Sequence, residues 1–266
     1  MSLLQAVLLG ILQGITEFLP VSSSGHLVIV PALFGWPTAS LTFDALVHWG
    51  TLLAVLAYFW RDLWFYVRAA WESIRRRTLQ VPGARAAWAI VVGTIPGALA
   101  GVLLEDLFTH LFHAPRTAAF FLLITAGLLT ASELVGKRVR SLEEIHLDDG
   151  LIIGIGQAFA IAPGISRSGA TIATGLARGL RREDAARFSF LLGIPLIFGA
   201  GLMQVMKLAT AATEAEPLPL LLVGFAAAAI SGWLAIHGLL RYVKNHSLYI
   251  FAIYCALVGG AVLLLM

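Results

Sequence analysis

The sequence predicts an all-α, polytopic membrane protein of two inverted repeats, each a re-entrant helical hairpin followed by three transmembrane helices. Three observations predict it. The 266-residue chain is 59% hydrophobic and only 12% charged, with a mean hydropathy of +0.88, well outside the composition of soluble domains. Six stretches approach the roughly 20 apolar residues that a helix needs to cross the hydrocarbon. Finally, one polar break occurs twice, in Gln13 to Leu27 (QGITEFLPVSSSGHL) and in Gln157 to Thr171 (QAFAIAPGISRSGAT).

The first apolar run, Leu3 to Leu12, and the run after the break, Leu27 to Phe34, are each about half a crossing long. Half-length runs flanking a Pro/Ser/Gly tip predict a hairpin that enters and leaves on one side, its irregular tip buried in protein or facing a wet cavity. Crossings are expected at Leu41 to Trp60, Ala86 to Leu104 and Thr117 to Val135. The second break then repeats the first at a constant offset of 144: Gln13 falls on Gln157, Ser22 on Ser166, Ser24 on Ser168 and Gly25 on Gly169. The register extends to Gly10 on Gly154, Ile11 on Ile155 and Gly35 on Gly179. Crossings at Phe188 to Val205, Leu218 to Leu240 and Leu248 to Met266 complete the second copy. The whole chain is thus one membrane domain, with repeat one at about 1–140 and repeat two at about 150–266. Three crossings separate the hairpins, so the second starts on the opposite side and the two tips meet. Paired interrupted segments of this kind point to a binding site near the membrane midplane.

Charge orients the chain. If Arg61 to Arg85 is cytoplasmic, alternation also places Lys137, Arg138, Arg140, Arg178, Arg181, Arg182, Arg187, Arg241 and Lys244 inside. Fifteen of the eighteen Lys and Arg are then on one face, as the positive-inside rule requires. Arg116 and Lys207 fall outside among Glu105, Asp106, Glu214 and Glu216. Both termini are expected outside. This distribution explains the basic balance, and no nucleic-acid partner is expected. Met1 to Leu12 lacks the basic leader and cleavage site of a removable signal peptide. The single cysteine, Cys255, excludes an internal disulfide. The stretch around Trp64, Tyr66 and Trp71 reads either as an interfacial helix or as a positive-inside loop with aromatic anchors.

Ionisable groups at membrane depth are costly and usually functional. Glu17, His26 and Arg167 are such groups, and they lie in the two breaks. A guanidinium stays charged when buried and presents a planar fork that matches phosphate oxygens, so Arg167 is expected to bind an anion. Ser22, Ser23, Ser24 and Gly25, like Ser166, Ser168 and Gly169, precede short helices, whose N-terminal N–H groups and dipoles favour phosphate. Two such ends carrying five hydroxyls suit a ligand with two phosphates. Glu17, four residues after Gln13, is expected to hold Mg2+ or Ca2+ together with the Gln13 carbonyl, or to act as a base. Ser23 lies at the centre of its break and is the best-placed nucleophile; His26 would move a proton there, and direct attack by water stays open. Asp44 and His48 read as an interfacial pair reaching water, or as supporting groups around the site. Glu133, Glu143, Glu144, Asp148 and Asp149 fall at or beyond span ends and are expected to be solvated.

These motifs resemble the undecaprenyl-diphosphate phosphatases, the bacitracin-resistance phosphatases of bacterial membranes. That pattern is Glu or Gln, three residues, Glu, then Pro-Val-Ser-Ser-x-Gly-His, and later Pro-Gly-x-Ser-Arg-Ser-Gly-x-Thr. Gln13, Glu17, Ser23 and His26 match the first part, and Ser166, Arg167, Ser168 and Thr171 the second. The resemblance implies a hydrolase of the bacterial inner membrane that removes the terminal phosphate of a C55 polyprenyl diphosphate lipid, needs a divalent metal and opens to the outer, periplasmic side. Gln13 stands where many members carry Glu, which leaves a single carboxylate. The runner-up is a transporter or flippase of a phosphorylated polyprenyl lipid, and a homodimer is left open.

Overall fold

The computed structural model describes residues 1–37, 39–104, 114–210 and 216–266, without the side chains of residues 207–210. Glu105, Asp106, Glu214 and the Lys207 side chain therefore lie outside the described residues. The described residues form eleven α-helices joined by turns and by a 3-10 turn at Leu142–Glu144: α1 Leu3–Phe18, α2 Ser23–Phe34, α3 Leu41–Tyr58, α4 Trp60–Arg76, α5 Ala84–Leu103, α6 Pro115–Val135, α7 Leu147–Phe159, α8 Arg167–Ala177, α9 Arg182–Thr210, α10 Leu218–Val243 and α11 Tyr249–Leu265.

Among the described residues, five helices are long and apolar enough to cross a membrane: α3, α5, α6, α9 as far as Met206, and α10. The chain is a multi-pass membrane protein. The sixth expected crossing, α11, is apolar but has only 17 residues. The four half-helices have 16, 12, 13 and 11 residues, roughly 16–24 Å at 1.5 Å per residue, too short for a hydrocarbon core of about 30 Å. Local chemistry sets their ends. Leu19 is extended, with ψ at 144°, as expected of a residue before proline, and Pro20 cannot continue the ladder. Gly35 closes α2 in the left-handed region at φ 62°.

Small residues let the half-helices approach the crossings closely. A Cβ on Gly10 would lie 2.4 Å from the Gly224 carbonyl oxygen of α10, and a Cβ on Gly154 would lie 2.2 Å from that of Gly93 in α5. Matched glycines of the two hairpins therefore seat against the second crossing of the other half. A core containing Phe18, Phe59, Ile153, Ile172, Phe188 and Phe190 fills the centre, with Phe18 and Phe190 meeting edge to face at 5.4 Å.

Two carboxylates correct the expectation of solvation. Glu133 is buried, and Arg138 and Arg182 donate to it along with the Leu248 N–H. Asp149 is fully buried, bound by Arg140 and Arg178 and by the His146 N–H. A buried carboxylate without such partners would be strongly destabilising, so part of the basic cluster here clamps the α6–α7 connection onto the turn after α8. Asp148, by contrast, is exposed, as expected.

Candidate active site

The two hairpin tips are built the same way. Ser22 caps α2 by accepting from the Gly25 N–H at 3.2 Å, and Ser166 caps α8 by accepting from the Gly169 N–H at 3.0 Å. Ser22 Oγ lies 3.3 Å from Ser24 Oγ, and Ser166 Oγ lies 3.1 Å from Ser168 Oγ. Ser22, Ser166, Ser168 and Thr171 are buried and hold structure. Ser168 Oγ donates to the Leu19 carbonyl, and Thr171 Oγ1 bonds the Arg167 carbonyl and lies 2.6 Å from Ser189 Oγ. Of the hydroxyls expected on a ligand, only those of Ser23 and Ser24 are partly exposed.

Glu17 joins the tips. Its Oε2 accepts from Ser23 Oγ at 2.6 Å and from Gln13 Nε2 at 3.1 Å, and its Oε1 accepts from Arg167 Nη2 at 3.0 Å. The pair is largely buried, at 13% exposure for Arg167 and 7% for Glu17. Desolvation offsets most of what a buried ion pair contributes to stability, so two charges held here are better explained by function than by fold. Arg167 Nη1 also donates to the Ser189 carbonyl at 3.3 Å. The guanidinium lies across Gly193, where an added Cβ would be 2.1 Å from Nη1. Among the described residues, Arg167 Nε and Gln13 Oε1 are buried without a hydrogen-bond partner.

The structure redirects the expected role of His26. Its Nδ1 lies 2.7 Å from the Ser22 carbonyl, which can only accept, so the neutral ring carries its proton there. Nε2 then accepts from Tyr254 OH at 2.8 Å, with the two rings stacked. Both nitrogens are engaged in positioning the α2 tip, and the Ser23 proton points to Glu17 instead. Asp44 and His48 do not pair through their side chains, since His48 Nδ1 bonds the Asp44 backbone carbonyl.

No cluster of three or more His, Cys, Asp or Glu able to hold a metal occurs among the described residues. One carboxylate with the unpartnered Gln13 Oε1 nevertheless fits a hard cation that takes its remaining ligands from water and phosphate oxygens.

Tyr254, Ser189, Gly193 and Thr125 lie outside the two sequence motifs. Thr125 Oγ1 donates to the Gly164 carbonyl and accepts from the Ser166 N–H, tying α6 to the second tip. Hydroxyls inside apolar spans are the signal that marks Thr125 and Ser189. Tyr254 resembles any interfacial aromatic until the fold brings it to His26.

Known proteins share this chain along nearly its full length. The family model described as bacitracin resistance protein BacA matches residues 6–261. Proteins named undecaprenyl-diphosphatase are 48% identical in Thermomicrobium roseum, covering 99% of this chain and 98% of that protein. The one from Methanosphaera stadtmanae is 44% identical, with 97% and 96% covered, and the one from Geobacter sulfurreducens is 43% identical, with 99% and 98% covered. With its two matched hairpin tips joined through Glu17 and Arg167, the chain belongs to the BacA family of bacitracin resistance proteins.

Proposed function

We propose that this membrane enzyme hydrolyses undecaprenyl diphosphate to undecaprenyl phosphate and inorganic phosphate, returning the lipid carrier to cell-wall synthesis and conferring bacitracin resistance. The observation that carries the reading is the 2.6 Å contact between Ser23 Oγ and Glu17 Oε2, beside Arg167. A hydroxyl, a base and a guanidinium are what phosphoryl transfer asks of a protein, because its barrier is lowered mainly by positioning and charge stabilisation.

In this reading Ser23 Oγ attacks the terminal phosphorus while Glu17 takes its proton. The bond from that phosphorus to the bridging oxygen breaks, and the lipid monophosphate departs. The departing lipid monophosphate takes the proton that Glu17 holds, which restores the carboxylate. Water then attacks the phosphoserine and gives a proton to Glu17; the bond from phosphorus to Ser23 Oγ breaks, Glu17 returns that proton to Oγ, and inorganic phosphate is released. Arg167, the Ser24 hydroxyl and the N-terminal N–H groups of α2 and α8 bind the phosphate oxygens. Glu17 and Gln13 Oε1 would hold a divalent cation, Mg2+ or Ca2+, which when bound supplies positive charge against the diphosphate. The matched tips and the reciprocal seating of Gly10 and Gly154 support inverted repeats, and the loop charges support termini outside with the site open to the outer leaflet.

A carrier of the same lipid would need the anion site but no hydroxyl aimed at a carboxylate. Phosphate release from a long-chain prenyl diphosphate by the purified protein, with and without chelator, separates the two. Chelator-sensitive release is expected, and a folded protein that binds the lipid without releasing phosphate would overturn the proposal.

A further inference from the structure

Helix α4 presents a surface that the proposed reaction does not use. Trp60, Trp64, Val67, Trp71 and Ile74 recur at spacings of four and three residues, the period of one helical face, and all are more than half exposed. Beside them Arg61, Arg68 and Arg75 recur every seven residues, two turns or roughly 10 Å apart. The other side of α4 is fixed to the protein. Ala69 and Ser73 are buried, Ser73 Oγ accepts from Trp88 Nε1 at 2.9 Å, and Asp62 accepts from Arg187 at 2.9 Å. The exposed stripe is therefore not a packing face.

We propose that α4 is a docking surface for anionic phospholipid, its tryptophan stripe embedded at the acyl boundary and its arginine row bound to headgroup phosphates. Charge and placement select this occupant. Arg61 and Arg68 stack over Trp60 and Trp64 at 5.2 and 4.7 Å, which holds each guanidinium at the level of the rings and leaves its in-plane N–H groups for phosphate. Among the described residues, Arg61, Arg68 and Arg75 have no carboxylate partner, whereas Arg76 pairs with Glu72. A groove of about 420 Å³ lined by Arg68, Trp71, Glu72, Arg75 and Arg76 lies along the row. Exposed tryptophans beside arginines on a helix of this pattern suit a membrane interface, and the attraction of a basic row to it comes from acidic lipid.

The test is native mass spectrometry of the full-length protein released from micelles containing equal phosphatidylglycerol and phosphatidylcholine. The wild type is expected to retain phosphatidylglycerol preferentially. The triple variant R61Q/R68Q/R75Q is expected to lose that preference by about fivefold per arginine, while R61K/R68K/R75K keeps most of it. Equal retention of both lipids by the wild type, or a preference unchanged in the glutamine variant, overturns the proposal. So does a dimer that only the glutamine variant dissociates without change in bound lipid, which would assign the surface to a second copy. Phosphate release by the glutamine variant at wild-type rate in a fixed detergent verifies that it is folded.

Discussion

The two hairpin tips share a skeleton and divide the chemistry. Each has a serine cap two residues before a second serine, a glycine whose N–H meets the cap, and a glutamine nine residues before the cap. Between the serines, one tip carries Ser23 and the other Arg167. Glu17 completes the first tip, and the matching position of the second is Ile161. The caps solve the problem common to both, starting a helix without leaving its buried N-terminal donors unmet. In the proposed chemistry, the diverging central residues put nucleophile and base on one tip and the anion clamp on the other. The tips form one site because Arg167 reaches Glu17.

Substitutions at the centre should act on turnover and those in the skeleton on stability. The largest effect is expected for Arg167→Ala, a loss of about 10³-fold or more in phosphate release with helicity retained. Activity within tenfold of wild type would break the assignment of the clamp to the second tip. Glu17→Gln keeps the hydrogen bonds to Ser23 and Gln13 feasible but removes the base, so turnover should fall by about 10²–10⁴-fold; recovery by added nucleophile at unchanged lipid affinity would sharpen that role. Gly10→Ala and Gly154→Ala each push a methyl into a facing glycine carbonyl. Each should lower stability by about 1–3 kcal/mol, read as similar shifts in detergent melting temperature, and a strong inequality would argue against equivalent packing. The smallest contrast lies in the caps. Ser22 has φ 70° and Ser166 has φ −72°, so glycine relieves backbone strain only at the first. Ser22→Gly should be near neutral, and Ser166→Gly should cost about a few tenths of a kcal/mol; equal melting shifts would contradict this.

Much of this was legible because polar residues in apolar runs are conspicuous. The breaks, their repetition and the isolation of Glu17, His26 and Arg167 all follow from that contrast. What periodicity misses is where side chains go. Glu133 and Asp149 look solvated at span ends, and only the fold brings two arginines to each. His26 is three residues from Ser23, yet one turn of helix points its ring to Tyr254, 228 residues further on. The apolar pattern predicts a first crossing that reaches Trp60, but α3 ends at Tyr58 and α4 starts at Trp60 with no proline between them. The change of direction at Phe59 places the arginines of α4 away from the crossing, which composition registers only as an end to hydrophobicity.

The most direct test of the proposed chemistry is to mix the purified protein with a long-chain prenyl diphosphate, quench in acid within a turnover and map phosphate on its peptides. Phosphate on Ser23, absent from Ser23→Ala and sharply reduced in Glu17→Gln, is the predicted result. A Ser23→Ala protein that releases phosphate at wild-type rate without any phosphopeptide would contradict the account, because attack would then proceed without the hydroxyl that Glu17 holds.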